Sequence, residues 1–281
     1  MKVGVVGLGT MGAGIAQIAL QAGDDVVGRE VTDELGAKAR DRIAHFLARA
    51  VDKGRMTAEE RDDALGRLQT TTSLEDLDGC ELVIEAIVEE LEPKRELFRQ
   101  LDRICAPGAI LATNTSALSV TEIAEATARP ERVIGMHFFN PAPMLPLVEI
   151  ARTERSDDAV VDAAYAWCER AGKQPVRCND TPGFIVNRIL IPLLNDCVRV
   201  LEEARVTPED LDKAMTNGAG WPMGPCAVID LIGIDVHVHA SEALEGKLGE
   251  ERMGPPERLL AMQAEGKLGR KTGEGFYSYR D

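Results

Sequence analysis

Residues 2–17 read KVGVVGLGTMGAGIAQ, and this stretch decides the fold. Lys2 to Val6 is a short β-branched run, and from Gly12 to Ala22 the apolar residues recur with helical spacing. The turn between them, Gly7, Leu8, Gly9, Thr10, Met11 and Gly12, has the spacing GxGxxG. Each glycine answers a separate steric demand: Gly7 the tight turn, Gly9 the close approach of a pyrophosphate to the backbone, Gly12 the packing of helix on strand. The first turn of the helix adds N–H groups and a partial positive charge. Strand, glycine turn and helix in this order predict a dinucleotide site built on residues 7 to 12.

A second strand is expected over Asp25 to Arg29, and Glu30 stands at its end. A carboxylate there accepts hydrogen bonds from the adenosine ribose and repels a 2′-phosphate, which favours NAD over NADP. Two amphipathic helices, Asp33 to Asp52 and Thr57 to Leu68, come next as an insertion, the second opened by a Thr57/Glu60 capping box. Strand signals recur at Leu82–Glu85, Ile110–Thr113 and Val133–Phe138, with helical patterns at Glu92–Ile104 and Val120–Ala126 between them. That alternation implies a parallel, doubly wound sheet.

Prolines 141, 143 and 146 make a rigid loop, after which Leu147 to Ala151 returns as a strand. A helix from beyond Ser156 to Ala171 and a strand near Pro175 to Arg177 complete the first domain. From Gly183 onward helical periodicity continues with little strand signal, and Thr207-Pro208-Glu209-Asp210 is a strong helix start. The expected architecture is therefore an α/β, doubly wound domain with a helical insertion (residues 1–183), followed by a mainly α-helical domain (residues 184–281).

Composition narrows the function. A chain of 281 residues carrying a net charge of −15 has no general basic face for nucleic acid, so a phosphorylated ligand must find a local cluster. No apolar run is long enough to span a bilayer, and the amino-terminal segment reads as folded structure, so a cytoplasmic protein with no membrane partner is expected. The six cysteines include no CxxC pair and read as reduced packing residues. His237 and His239, two apart with no accompanying ligand set, imply no metal.

In open α/β sheets ligands bind at the carboxyl ends of the strands. The strand Ile110–Thr113 runs into Asn114, Thr115 and Ser116, and the strand from Val133 runs through His137 to Asn140. Glu149 lies on the returning strand. If the two strands pair antiparallel about Pro143, residues 137 and 149 stand opposite, each six positions from that centre. Glu149 then holds one ring nitrogen and the other is placed to take a substrate proton.

The segments GLGTMGAGIAQ, IEAIVEELEPKRELF, LATNTSALSV, GMHFFNPAPMLPLVEI, TPGFIVNRIL, NGAGWPMGPCAVIDLIGID and GRKTGEGFYSY together resemble the 3-hydroxyacyl-CoA dehydrogenase family over essentially the whole chain. The resemblance implies a Rossmann-type NAD-binding domain and a helical domain for substrate and dimerisation. The implied activity is hydride transfer between NAD and C3 of a short 3-hydroxyacyl-CoA such as 3-hydroxybutyryl-CoA. It implies His137 as general base with Glu149 as its partner, and Ser116 and Asn187 as polar contacts to the reacting oxygen. It further implies cofactor contacts from Glu89, Lys94, Asn114, Ser116, Asn140 and Lys271, and a homodimer. Two positions depart from the usual pattern: Glu30, where many members carry Asp, and Gly28, which replaces a bulkier strand residue and is expected to loosen the adenine pocket.

Arg42, His45, Arg49 and Lys53 recur at spacings of three and four and so share one face of the inserted helix. Family members use basic residues there for the CoA end, which makes Arg49 and Lys53 the candidates; an ordinary solvated basic face is the alternative. Two rivals remain: a dehydrogenase of free hydroxy or sugar acids, which needs no basic inserted helix, and a non-catalytic NAD-binding protein, against which the complete Ser116, His137, Glu149 and Asn187 set argues.

Overall fold

In the computed structural model, which describes residues 1–280, the chain divides into two units, Met1–Thr181 and the remainder from Pro182. The first holds β1 (Lys2–Val6), α1 (Thr10–Gln21), β2 (Asp25–Arg29), α2 (Asp33–Asp52), α3 (Ala58–Gly66), β3 (Leu68–Thr71), β4 (Leu82–Glu85), α4 (Leu91–Ile104), β5 (Ile110–Thr113), α5 (Val120–Ala124), β6 (Val133–Phe138), β7 (Leu147–Arg152), α6 (Asp158–Arg170) and β8 (Gln174–Asn179). The strands form one sheet in the order β3-β2-β1-β4-β5-β6-β7-β8. All neighbours are parallel except β6 and β7. The order reverses between β1 and β4, so the crevice for a dinucleotide opens there, at the carboxyl ends.

Strands buried on both faces are apolar over most of their length, and the polar residues they do carry need partners. The central β4, β5 and β6 are buried at every position, and Val3, Val5, Ile84, Ala112, Ile134 and Ile150 run through one continuous core with α1 and α6. Asp24, wholly buried before β2, accepts from Trp167 Nε1 (2.8 Å) and Arg170 Nη2 (2.9 Å) and so fastens α6 to the sheet.

The inserted helices begin as their caps require. Thr32 Oγ1 accepts from Leu35 N, and the Thr57/Glu60 capping box forms in full. One expectation fails here: the helix read as far as Leu68 stops at Gly66, and Leu68 to Thr71 is a strand on the outer edge of β2. This edge strand has a single buried apolar residue, Leu68, so it lacks the apolar alternation of the inner strands, and only its β-branched threonines mark it as a strand.

The second unit is helical: α7 (Val186–Glu203), α8 (Pro208–Gly218), α9 (Pro225–Ile232), α10 (Ile234–Leu248) and α11 (Glu257–Ala264). Leu194, Val198, Ile229, Ile234, Val238 and Leu259 form its core. Buried carboxylates order it. Asp212 accepts the first N–H groups of α9 at Cys226 (2.7 Å) and Ala227 (3.0 Å), and Asp230 accepts Phe276 N, Tyr277 N and the Tyr279 hydroxyl, fastening the carboxyl-terminal segment. Among the described residues no helix is long and apolar enough to cross a membrane, and no group of His, Cys, Asp or Glu side chains is arranged to hold a metal ion. All six cysteines are free thiols, five of them buried.

Between α7 and α10, His237 Nε2 lies 2.8 Å from Asn195 Oδ1, while Asn195 Nδ2 donates to the carbonyls of Met253 and Gly254. An amide oxygen only accepts, so Nε2 carries the proton. His237 is wholly buried and its Nδ1 has no hydrogen-bond partner. Burial holds its pKa down at about 4. A folded pKa below the unfolded one means the unfolded chain binds the extra proton first, so stability is full above about 6.5 and is lost as pH falls toward 4. The thermal midpoint of the wild-type protein should therefore drop more steeply between pH 6.5 and pH 4 than that of His237→Gln, whose amide keeps the bond to Asn195 and cannot titrate. Parallel curves for the two proteins would refute this.

Candidate active site

The glycine turn shows why each position is what it is. A Cβ on Gly12 would lie 1.7 Å from the Gly7 carbonyl oxygen, so helix and turn meet only because it is absent. A Cβ on Gly9 would meet nothing within 4 Å. Glycine at that point keeps the backbone open to a ligand rather than to a neighbouring strand, which fits a pyrophosphate.

Glu30 follows β2 and turns toward this loop: its Oε1 accepts the Leu8 N–H at 2.6 Å and its Oε2 the Val31 N–H at 3.0 Å. At Gly28 the space left by the missing side chain is filled from the turn. A Cβ there would lie 2.7 Å from Leu8 Cδ1, so the Leu8 side chain, 2% exposed, occupies the space a larger residue at 28 would take.

Glu85 and Thr113, the last residues of β4 and β5, are paired in register, and the Thr113 hydroxyl donates to Glu85 Oε2 at 2.7 Å. Lys94 reaches back from the first turns of α4 to bind Glu85, with Glu89 3.3 Å away. Its ammonium is 1% exposed. Lys94 is therefore placed to bear on the position of Glu89. Glu89 Oε1 in turn accepts from the Thr115 hydroxyl (2.6 Å), Ser116 N (2.8 Å) and Ala117 N (3.2 Å), so one carboxylate gathers three donors of the loop bearing Ser116. Burial works against ionisation of Glu89, but the Lys94 charge and the Thr115 and Ser116 hydrogen bonds outweigh it and hold the carboxyl below its ordinary range. Asn114 Oδ1 accepts the Phe138 N–H at 3.0 Å, tying the end of β5 to β6 beside His137.

β6 and β7 pair antiparallel with His137 opposite Glu149, the register counted from Pro143. His137 Nδ1 lies 2.7 Å from Glu149 Oε2, with Glu149 wholly buried and His137 6% exposed. A carboxylate accepts only, which places the proton on Nδ1 and the acceptor lone pair on Nε2. The Phe139 ring lies 4.3 Å from the imidazole, centroid to centroid. Asn140 follows as an exposed residue at the start of the proline loop.

The structure thus gathers the glycine turn, Glu30, Glu89, Asn114, Ser116 and His137 with Glu149 along one edge of the sheet. Arg49 and Lys53 are exposed on the last turn and cap of α2. Asn187 and Lys271 belong to the second unit. Asn187 is half-buried in the first turn of α7, and Lys271 Nζ is held by both oxygens of Asp235, the longer contact 2.6 Å. Two supports escaped the sequence reading. Glu85 could have been noticed as a charge ending an otherwise apolar strand. Lys173, whose buried ammonium donates to the carbonyls of Ala142 (2.6 Å) and Leu145 (3.0 Å) and so braces the proline loop, has no local signal at all.

Comparison with known proteins agrees along the whole chain. The NAD binding domain of 3-hydroxyacyl-CoA dehydrogenase matches residues 2–181, and the C-terminal domain of the same family matches residues 183–279. A 3-hydroxybutyryl-CoA dehydrogenase of Mycobacterium tuberculosis is 45% identical over 280 residues, covering 99% of this chain and 98% of that one. The mitochondrial hydroxyacyl-coenzyme A dehydrogenase of Rattus norvegicus is 41% identical over 285 residues, covering 99% of this chain and 91% of its own. The crystal structure of (S)-3-hydroxybutyryl-CoA dehydrogenase PaaH1 from Ralstonia eutropha superposes with a TM-score of 0.96 at 39% identity, covering 100% of this chain and 99% of that one. The chain belongs to the 3-hydroxyacyl-CoA dehydrogenase family and is an NAD-dependent oxidoreductase.

Proposed function

We propose that this protein interconverts short-chain 3-hydroxyacyl-CoA and 3-ketoacyl-CoA, with 3-hydroxybutyryl-CoA and acetoacetyl-CoA as the preferred pair. The observation that carries the proposal is the buried His137–Glu149 pair, 2.7 Å apart, at the ligand-binding edge of a dinucleotide sheet. When bound, NAD accepts the hydride from C3 in oxidation, and its reduced form returns it.

The chain's own residues manage the proton. His137 Nε2 takes it from the substrate hydroxyl, while Glu149 keeps the ring oriented through Nδ1–H and stabilises the imidazolium that forms. In reduction the same imidazolium protonates the ketone oxygen. Ser116 and Asn187 hydrogen-bond that oxygen. The glycine turn, Glu30, Glu89, Asn114, Ser116, Asn140 and Lys271 serve the cofactor, with Lys94 acting behind Glu89.

Residues up to 183 form the NAD-binding domain in this reading, and residues 184–281 the substrate and dimerisation domain. The exposed apolar side chains of Ile185, Ile189 and Val200 in the second unit support a homodimer, and bacterial relatives support a cytoplasmic protein. Arg49 and Lys53 bind the CoA phosphates.

Because Glu30 repels a 2′-phosphate, NADH should support acetoacetyl-CoA reduction far better than NADPH; equal efficiency would displace Glu30 from the ribose. Arg49→Glu with Lys53→Glu should raise KM for acetoacetyl-CoA several-fold and leave NADH affinity unchanged. An unchanged KM, or equal activity on free acetoacetate, would remove CoA from this helix. For the dyad, His137→Gln should lower kcat by about 10² to 10⁴ while NADH still binds. The double variant with Glu149→Gln should be little worse than His137→Gln, since residues acting as one unit are not additive. Losses that multiply would sink the pair.

A further inference from the structure

Glu85 is as inaccessible as Glu149, yet it belongs to none of the catalytic or cofactor-binding roles assigned above. It is wholly buried at the end of β4, and all its acceptor capacity is directed inward. Oε1 receives the Ile87 N–H at 2.7 Å together with the Lys94 ammonium, and Oε2 receives the Thr113 hydroxyl at 2.7 Å. Nothing in this arrangement lets Glu85 touch a ligand. Its consequence lies at the neighbouring acid, because Lys94 is shared with Glu89, and Glu89 accepts from Thr115, Ser116 and Ala117 in the loop after β5.

We infer that Glu85 is a positioning residue of the dinucleotide site: its buried charge anchors Lys94, and the anchored Lys94 sets where the Glu89 carboxylate stands and how it holds the Ser116 loop. The three groups carry two negative charges and one positive. With Glu85 ionised, Lys94 is drawn toward the sheet and Glu89 keeps its negative charge for the loop N–H groups. With glutamine at 85, Glu89 is the one carboxylate of the triad left to Lys94, and a buried cation moves toward its remaining counter-charge. Glu89 is then pulled off the loop.

This inference rests on the assignment of Glu89 and Ser116 to the cofactor, and the experiment separates the two. NADH binding to the intact enzyme is measured by fluorescence titration for the wild type, Glu85→Gln, Lys94→Met and the double variant. Glutamine keeps the shape and can still accept from Ile87 and Lys94, while the Thr113 hydroxyl can turn to accept from the new amide, so the fold survives and only the charge is lost. Glu85→Gln should weaken NADH binding on the order of tenfold, within the range for neighbours in one network. The double variant should bind no more weakly than Lys94→Met, because Glu85 acts only through Lys94.

Wild-type NADH affinity in Glu85→Gln overturns the inference, with or without a lowered thermal midpoint, since a merely structural role moves the midpoint alone. Losses that multiply in the double variant also overturn it. Should Glu85→Gln not fold, Glu85→Asp keeps the charge and shortens its reach: several-fold weaker binding supports the inference and unchanged binding overturns it. A wild-type enzyme that failed to bind NADH would instead remove the cofactor assignment on which the inference stands.

Discussion

The antiparallel return of β7 against β6 is the constraint on which the site depends. In a wholly parallel sheet the carboxyl edge receives side chains only from strands that end at it. Here one strand enters at that edge, and its third residue, Glu149, stands across from His137. A slip of one residue would turn Glu149 to the other face of the sheet, so the register must be held firmly. The proline loop between the strands is stiff by composition, and the Lys173 ammonium closes it by binding the Ala142 and Leu145 carbonyls. Gly14 of α1 lets Ala142 and Pro143 pack closely, since a Cβ there would lie 3.2 and 3.1 Å from them. The helix that begins at the cofactor turn therefore also buttresses the loop that aligns the dyad.

Buried acids recur as assembly points. Asp24 fastens α6, Glu85 anchors Lys94, Asp212 caps α9 and Asp230 holds the carboxyl-terminal segment. Each has its oxygens met by N–H or O–H donors, the condition under which a buried carboxylate is tolerated. Surface pairs such as Lys38–Glu34 contribute little by comparison. The strongly negative net charge thus conceals two populations of acid, one that solvates the surface and one that fixes the interior.

What could be read from the sequence was local or followed from counting. The glycine turn, the cap at Thr57 and the apolar central strands have short-range signals, and the His137–Glu149 register follows from equal distances to Pro143. What escaped depends on partners far along the chain. β3 is confirmed by its pairing with β2; Thr70 and Thr71 are β-branched and favour a strand, but the run is short and carries one apolar residue. Lys173 meets carbonyls about thirty residues away, and the Glu85–Thr113 bond joins residues 28 apart. Lys94 was visible as a motif residue, but its burial between two carboxylates was not, because that depends on where α4 lies relative to β4.

The two departures from the family pattern at the adenosine end are one linked adjustment. Gly28 removes a side chain from β2, and Leu8 fills the space from the cofactor turn. Seating Leu8 there brings its backbone N–H to face the end of β2, where the Glu30 carboxylate accepts it at 2.6 Å. An aspartate at 30 has one methylene less and would reach less far toward that N–H, so the longer residue matches the turn as Leu8 and Gly28 shape it. The second oxygen is steadied by the Val31 N–H, which fixes the plane of the carboxylate beside the turn. A larger residue at 28 would collide first with Leu8, displace its N–H, and so disturb Glu30 without touching it. Glycine at 28 is therefore a condition for glutamate at 30 to hold its place, and the carboxylate beside the turn depends on a residue that faces the core.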